Sequence, residues 1–350
     1  MERLNLPLPV SYPPMEAQLV ERIPAGGEWQ YEPKWDGFRC LAFRDGGEIA
    51  LQSKSGRPLA RYFPEIVAAL KAVRASWFVL DSEIVVPVGK EFSFDHLLQR
   101  IHPAESRIRK LARESPALLI AFDLLVDEKG RSFVRETLRR RRPRLESFAR
   151  RHFRPGGLIL LSPATTDVKV AKKWLSSAGG ALDGVVAKRL DSDYESGSGK
   201  RTGMQKIKLL RTADCVVGGF RYAERGSVVG SLLLGLYNEQ GLLDHVGFCS
   251  GLSTALREEL TPELERLIEP PGFTGITPGG VSRWSTKRSE EWQPLAPRLV
   301  AEIQYDHFTG GRFRHGTRLL RFRPDKAPRQ CTGDQVERSH RGSLLRLLGT

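Results

Sequence analysis

The chain has 350 residues, 40% of them hydrophobic, which is enough to bury one large or two ordinary cores and too much for a disordered chain. Its 55 basic and 41 acidic side chains leave a formal net charge of +14, a sign that favours a polyanionic partner. Cys40, Cys215, Cys249 and Cys331 form no C-x-x-C pair and have no histidine at zinc spacing, so a zinc module is excluded and reduced thiols are expected. No apolar run is long enough to span a bilayer. The expectation is a soluble, cytoplasmic, monomeric protein.

The first two hundred residues alternate strand-like and helix-like segments. Residues 29–31 and 38–43 read as strands. The turn Asp45-Gly46-Gly47 leads into residues 48–52 and predicts a hairpin. Pro64 opens a helix over residues 64–70. Residues 78–86 form a buried strand with Asp81 and Glu83 embedded in it, and residues 94–101 a short helix. Residues 118–126 form another strand. Residues 136–151 read as a basic helix interrupted by Pro143, and the arginine cluster at 139–144 as a solvated helix face. A helix over 167–176 and a strand over 182–190 complete this part. The frequent hairpin turns imply a mixed α/β domain of mainly antiparallel strands.

The character changes after about Arg211. Five strands are expected, at 215–222, 231–237, 242–249, 299–308 and 318–323, with one helix at 254–268. Five strands and a helix in so short a span suit an OB-type barrel. Residues 272–280 and the stretch around Trp284 and Trp292 read as long connections. The expected class is therefore α+β. A domain of antiparallel sheets and helices occupies residues 1–210, and a β-barrel domain residues 211–350.

Chemistry concentrates in a few segments. In Glu32-Pro33-Lys34-Trp35-Asp36-Gly37-Phe38-Arg39 a lysine sits between two carboxylates at a chain reversal that Gly37 permits. A nucleophilic lysine must lose its proton, and neighbouring carboxylates oppose that unless they face substrate or metal. Glu83 lies in an apolar strand, where a carboxylate needs a partner such as a sugar hydroxyl. Phe122 lies in another apolar strand. Residues 182–188 again bring a carboxylate, Asp183, and a lysine, Lys188, to a hydrophobic strand. Lys206 and Lys208 alternate at strand period, so their ammonium groups share one face and call for an anion between them.

In this order the segments resemble the nucleotidyltransferase motifs of ATP-dependent DNA ligases and mRNA capping enzymes, from Glu32 to Lys208 and on into the second domain. The wording of residues 182–190, 211–218 and 312–325 is most similar to the small stand-alone bacterial group called ligase C. The resemblance implies an ATP-grasp-like nucleotidyltransferase domain followed by an OB-fold domain. It implies that Lys34 attacks the α-phosphate of ATP and that Asp36 and Arg39 hold ribose and phosphate. Glu32 would lie at the adenine edge, Glu83 on the ribose, and Phe122 stacked on adenine. Asp183 would hold Mg²⁺ or Mn²⁺. Lys206 and Lys208 would neutralise the α-phosphate. Arg323, Asp325 and Lys326 would orient the leaving pyrophosphate, the barrel closing over the nucleotide and reopening about a hinge near residues 209–212. Lys54 and Arg57 would approach the nick phosphate in DNA.

The pattern departs from the family at three positions. Lys54 stands where many relatives carry arginine, and a lysine cannot grip a phosphate bidentately. Ser82 replaces a glycine, and Asp183 replaces a glutamate of longer reach. The implied substrate is nicked double-stranded DNA, sealed in repair by a nucleoid-associated enzyme, with a Ku-type end-binding protein as a partner the resemblance suggests. An mRNA guanylyltransferase and an RNA ligase are the competing enzymes, separated by labelling with ATP against GTP and by nicked substrates of each type. An NAD-dependent ligase would be longer and carry a four-cysteine zinc module. A non-catalytic DNA-binding module would not need the ordered motifs.

Overall fold

The structure is a computed structural model, and it describes residues 4–89, 91–176, 182–197, 202–224, 226–279, 291–336 and 348. The chain divides into two compact units, one running to Leu209 and including Leu348, which packs on its core, the other beginning at Leu210.

The first unit holds two sheets. One has four strands in the order β1 (Gln18–Leu19), β11 (Met204–Ile207), β10 (Leu182–Arg189), β2 (Trp29–Trp35). The other has five, in the order β4 (Glu48–Ser53), β3 (Phe38–Asp45), β5 (Trp77–Val85), β8 (Leu118–Val126), β9 (Ile159–Leu161). Pairing is antiparallel except between β1 and β11 and between β8 and β9. A short ribbon, β6 (Pro87–Val88) with β7 (Glu91–Phe92), leads into α2 (Phe94–Gln99). The expected hairpin forms between β3 and β4, with Asp45 facing Glu48 across the turn.

One face of the five-stranded sheet is covered by α1 (Pro64–Lys71) and α4 (Leu138–His152). Ile66 and Leu70 of α1 and Leu145 and Phe148 of α4 pack on Cys40, Phe78, Leu80 and Leu124. Each such fully buried side chain stabilises the fold by about 1.5–3 kcal/mol. Helix α4 runs through Pro143 without interruption. Its inner face, Leu138, Arg141, Arg142, Leu145, Phe148 and Ala149, is buried on both sides of the proline, and that packing offsets the lost backbone bond. The cluster at 139–144 is therefore only half a solvated face. Helix α3 (Glu105–Glu114) was not legible in the sequence: only Ile108 of its ten residues is buried, so the apolar period is nearly absent. Helix α5 (Val168–Ser176) packs its Ala171 and Trp174 into the cluster of Trp29, Tyr31, Trp35 and Val185.

In the second unit, β14 (Leu243–Cys249), β13 (Val229–Tyr237), β12 (Arg211–Tyr222), β16 (Val300–Tyr305) and β19 (Arg318–Phe322) follow one another by antiparallel pairing. A bridge between Cys249 and Thr317, with the Thr317 amide donating to Phe248 at 3.1 Å, joins the two ends and closes the barrel. Short strands β15 (Gln293–Pro294), β17 (Phe308–Thr309) and β18 (Arg312–Phe313) flank it. Helix α6 (Thr254–Glu265) is capped by Ser253 and seats Leu260 and Leu264 in the barrel core. Trp292 meets Phe273 edge-on, while the expected connection at Trp284 lies outside the described residues. All four cysteines are free and buried. Among the described residues no helix is long and apolar enough to cross a membrane.

Candidate active site

Glu32 and Lys34 lie two apart on β2 and so share one face, while Tyr31 and Trp35 fill the core behind them. Lys34 is on the strand itself. The reversal at Asp36-Gly37 then hands the chain from the four-stranded to the five-stranded sheet. Gly37 is required by close packing: a Cβ there would lie 2.1 Å from the Ile84 carbonyl oxygen.

Asp183 reaches Lys34 through a bulge. Gly184 pairs with Lys34, Leu182 with Trp35, and the register shifts between them. The inserted residue turns its carboxylate onto the Lys34 side. Gly184 takes φ +139°, and a Cβ there would lie 1.9 Å from the Ile207 carbonyl. Asp183 Oδ2 is in contact with Lys34 Nζ and lies 3.2 Å from Lys208 Nζ, so one carboxylate bridges two ammonium groups. Lys206 makes no ion pair among the described residues. Burial first, then the nearby Lys34, Lys208 and Lys54, hold its pKa below the ordinary lysine value, against the pull of Asp183. Three lysines, Lys34, Lys206 and Lys208, thus stand around the one carboxylate of Asp183, a grouping that suits phosphates.

Arg39 of β3 is locked by Asp81 of β5. Nε donates to Oδ1 at 2.6 Å and Nη2 to Oδ2 at 2.5 Å. Nη2 also donates to the Met15 carbonyl at 3.3 Å. The Tyr194 hydroxyl donates to Asp81 Oδ2 at 2.6 Å and accepts from the Met15 amide at 2.9 Å. Asp81 and its attendant hydrogen bonds push the Arg39 pKa up despite burial, and burial together with Asp81 pushes the Tyr194 phenol up. Glu83 pairs in register with Arg39. Burial chiefly, with Asp36 and Asp81 adding and Lys34 and Arg39 opposing, raises its carboxyl to about 7.

The ring of Phe122 on β8 faces two cations, the Arg39 guanidinium and the Lys188 ammonium, each 4.6 Å from its centroid. Lys188 Nζ donates to Glu32 Oε2 at 2.8 Å and Gln30 Nε2 to Glu32 Oε1 at 2.8 Å. Lys54 and Arg57 sit on the exposed turn after β4. The Arg57 amide donates to Ser53 Oγ at 3.0 Å, and Lys54 pairs with Glu16 at 3.2 Å.

Glu32, Lys34, Arg39, Glu83, Phe122, Asp183, Lys206 and Lys208 therefore come from β2, β3, β5, β8, β10 and the end of β11. Arg323, Asp325 and Lys326 belong to the second unit and form a network of their own. Arg323 Nη2 lies 2.8 Å from Asp325 Oδ2, and Arg323 Nη1 and Lys326 Nζ reach the Asp214 carboxylate at 3.3 and 2.7 Å. The hydrogen bonds to Arg323 hold the Asp325 carboxyl down at about 2. The sequence reading did not single out Tyr194, Glu16, Asp214 or Arg142 as site residues. Of these, only the arginine run carried any local signal, and it pointed outward.

A lysine facing a carboxylate, flanked by two further lysines, an arginine lock and an aromatic ring, is the constellation of a covalent nucleotidyltransferase. Comparison with known proteins narrows the class. The family described as ATP dependent DNA ligase domain matches residues 14–208, and the ATP dependent DNA ligase C terminal region matches residues 225–326. The chain is 42% identical to DNA ligase C of Mycobacterium tuberculosis over 96% of both chains. It is 31% identical to the multifunctional non-homologous end joining DNA repair protein LigD of the same organism, over 86% of this chain and 37% of that one. In fold it is similar to a Lig E DNA ligase, at a TM-score of 0.55 and 16% identity, over 89% of this chain and 99% of that one. The chain belongs to the ATP-dependent DNA ligase family.

Proposed function

We propose that this chain seals nicks between a 5′-phosphate and a 3′-hydroxyl in duplex DNA, through AMP carried on Lys34. The observation that carries the reading is Lys34 held by Asp183 beside Lys206 and Lys208. The Lys34 nitrogen bonds to the α-phosphorus of ATP, the bond to the bridging oxygen breaks, and pyrophosphate leaves. The proton Lys34 gives up faces Asp183 Oδ2. AMP then passes to the 5′-phosphate of the nick. The 3′-hydroxyl attacks that phosphate and AMP departs. Positioning and charge neutralisation do most of the work in such phosphoryl transfers. Lys206 and Lys208 neutralise the α-phosphate, Asp36, Arg39 and Glu83 hold the sugar side, and Phe122 with Glu32 hold the base. Lys54 and Arg57 meet the nick phosphate. Arg323, Asp325 and Lys326 act on pyrophosphate in the first step.

Asp183 offers the hard carboxylate oxygen that Mg²⁺ or Mn²⁺ takes, and the ion would displace the ammonium groups of Lys34 and Lys208 from it. Bound there, the ion would supply further charge neutralisation. A place in DNA repair is supported by the end-joining LigD relatives, and a monomer serving beside a Ku-type end binder fits that reading.

The test is incubation with α-labelled ATP and a divalent metal, then nicked DNA. Wild type acquires label and passes it on, and Lys34→Ala acquires none while still sealing pre-adenylated nicks. Label mapping to another lysine refutes the assignment.

A further inference from the structure

We propose that Arg142 reads the base of the nucleotide, its Nη1 donating to a ring nitrogen of adenine while Glu32 accepts from the exocyclic amine. The inference rests on Glu32 and Phe122 forming the base site.

Arg142 comes from the arginine run of α4, yet it points inward and is 7% exposed. Its Nε donates to Glu146 Oε1 at 2.7 Å and its Nη2 to the Ser162 carbonyl at 2.8 Å. Ser162 in turn accepts the Trp35 indole N–H on Oγ at 3.0 Å, which ties the guanidinium to the strand that carries Lys34. With two nitrogens fixed, the plane of the fork is set. The third nitrogen, Nη1, is buried and has no hydrogen-bond partner. It stands 3.9 Å from Glu32 Oε1, too far for a hydrogen bond. A buried guanidinium nitrogen without an acceptor is costly, so the missing partner is an acceptor brought by a ligand.

Glu32 supplies the complement. Its oxygens accept from Gln30 and Lys188 and keep lone pairs to spare. The site therefore sets a donor beside an acceptor, close to an aromatic face. Adenine presents a matching amine donor beside a ring-nitrogen acceptor, at N1 on one edge and N7 on the other. Guanine places a carbonyl oxygen where adenine has the amine, and that oxygen would confront the Glu32 carboxylate. A site built on buried polar groups rejects an analogue that cannot pair with them far more strongly than an apolar pocket could.

The experiment follows self-adenylation of the full chain by intact mass with ATP, 1-deaza-ATP and 7-deaza-ATP, for wild type, Arg142→Gln and Arg142→Lys. Wild type should use one of the two deaza analogues roughly 10- to 100-fold more slowly than ATP, the range for a lost hydrogen bond to a charged group. Arg142→Gln should slow ATP by a similar factor and no longer distinguish it from that analogue. Arg142→Lys should restore part of the discrimination. Equal use of all three nucleotides by wild type overturns the proposal, and that comparison stands even where a variant fails to fold. A uniform loss with every nucleotide in a folded Arg142→Gln also overturns it, because a purely structural residue would behave that way. Wild type that takes no label from ATP defeats the Lys34 reading instead.

Discussion

Replacing Asp81 by asparagine tests the lock on Arg39. The substitution keeps the shape of the side chain and removes its charge, leaving Arg39 and Tyr194 to share one neutral amide oxygen where two carboxylate oxygens stood. Asp81 is fully buried, whereas the Arg39 side chain is 22% exposed, so water partly compensates the orphaned guanidinium. Breaking a buried ion pair from one side costs about 3–5 kcal/mol, and partial exposure places this one near the lower end. Tyr194→Phe, which removes one hydrogen bond to a charged acceptor and leaves the Met15 amide unpaired, should cost about 1.5–3 kcal/mol. The two changes share a partner, so the double variant should lose less than the sum. Urea denaturation of the four proteins, with the binding of ATP measured beside it, gives all the terms. A loss below about 1 kcal/mol in Asp81→Asn, or strict additivity, would refute the picture of one coupled lock.

Glu83 supplies a pH prediction. Its folded pKa, about 7, lies above its ordinary 4.5, so the stability it contributes is present below pH 4.5 and lost as pH rises through 7. Glu83→Gln should therefore narrow the difference in urea midpoint between pH 5 and pH 8, and an unchanged difference would exclude the effect. Asp183→Asn, which removes the charge bridging Lys34 and Lys208, should reduce sealing by roughly two orders of magnitude or more, in line with charge stabilisation worth several kcal/mol, and Asp183→Glu should be tolerated; normal sealing by Asp183→Asn would reject the role. Arg323→Ala should mainly slow self-adenylation and spare sealing of pre-adenylated nicks. A loss confined to sealing that grows with salt would mark Arg323 as a DNA-phosphate contact.

The core strands of both units were legible because their apolar runs are short and bounded by turns. Residues 118–126 match β8 from end to end. Helix α3 was missed because it buries almost nothing, and α4 was split at Pro143 because local propensity carries no record of the sheet beneath it. In the site, Lys34 was visible as a lysine between carboxylates at a turn, Glu83 and Asp183 as charges in apolar strands, and Lys206 and Lys208 as a pair at strand period. Arg142 was not, because its direction is decided by Ser162 and Glu146 and not by its neighbours in the run. Tyr194 was invisible for the same reason: its partner Asp81 lies 113 residues away.

Lys34, Lys208 and Lys54 are each held by a carboxylate that a phosphate group could replace. Asp183 sits between Lys34 and Lys208, and Glu16 beside Lys54. So many like charges could not be gathered on adjoining strands without such counter-ions, since each would raise the cost of the next. The carboxylates offset the mutual repulsion of these ammonium groups, and phosphate groups compete for the same positions. Arg39 differs. Its partner Asp81 is sealed from solvent and shared with Tyr194, so substrate cannot displace it. That division separates exchangeable cations, free to turn to a phosphate, from a fixed one, Arg39, which on the proposed reading gives the sugar a constant reference.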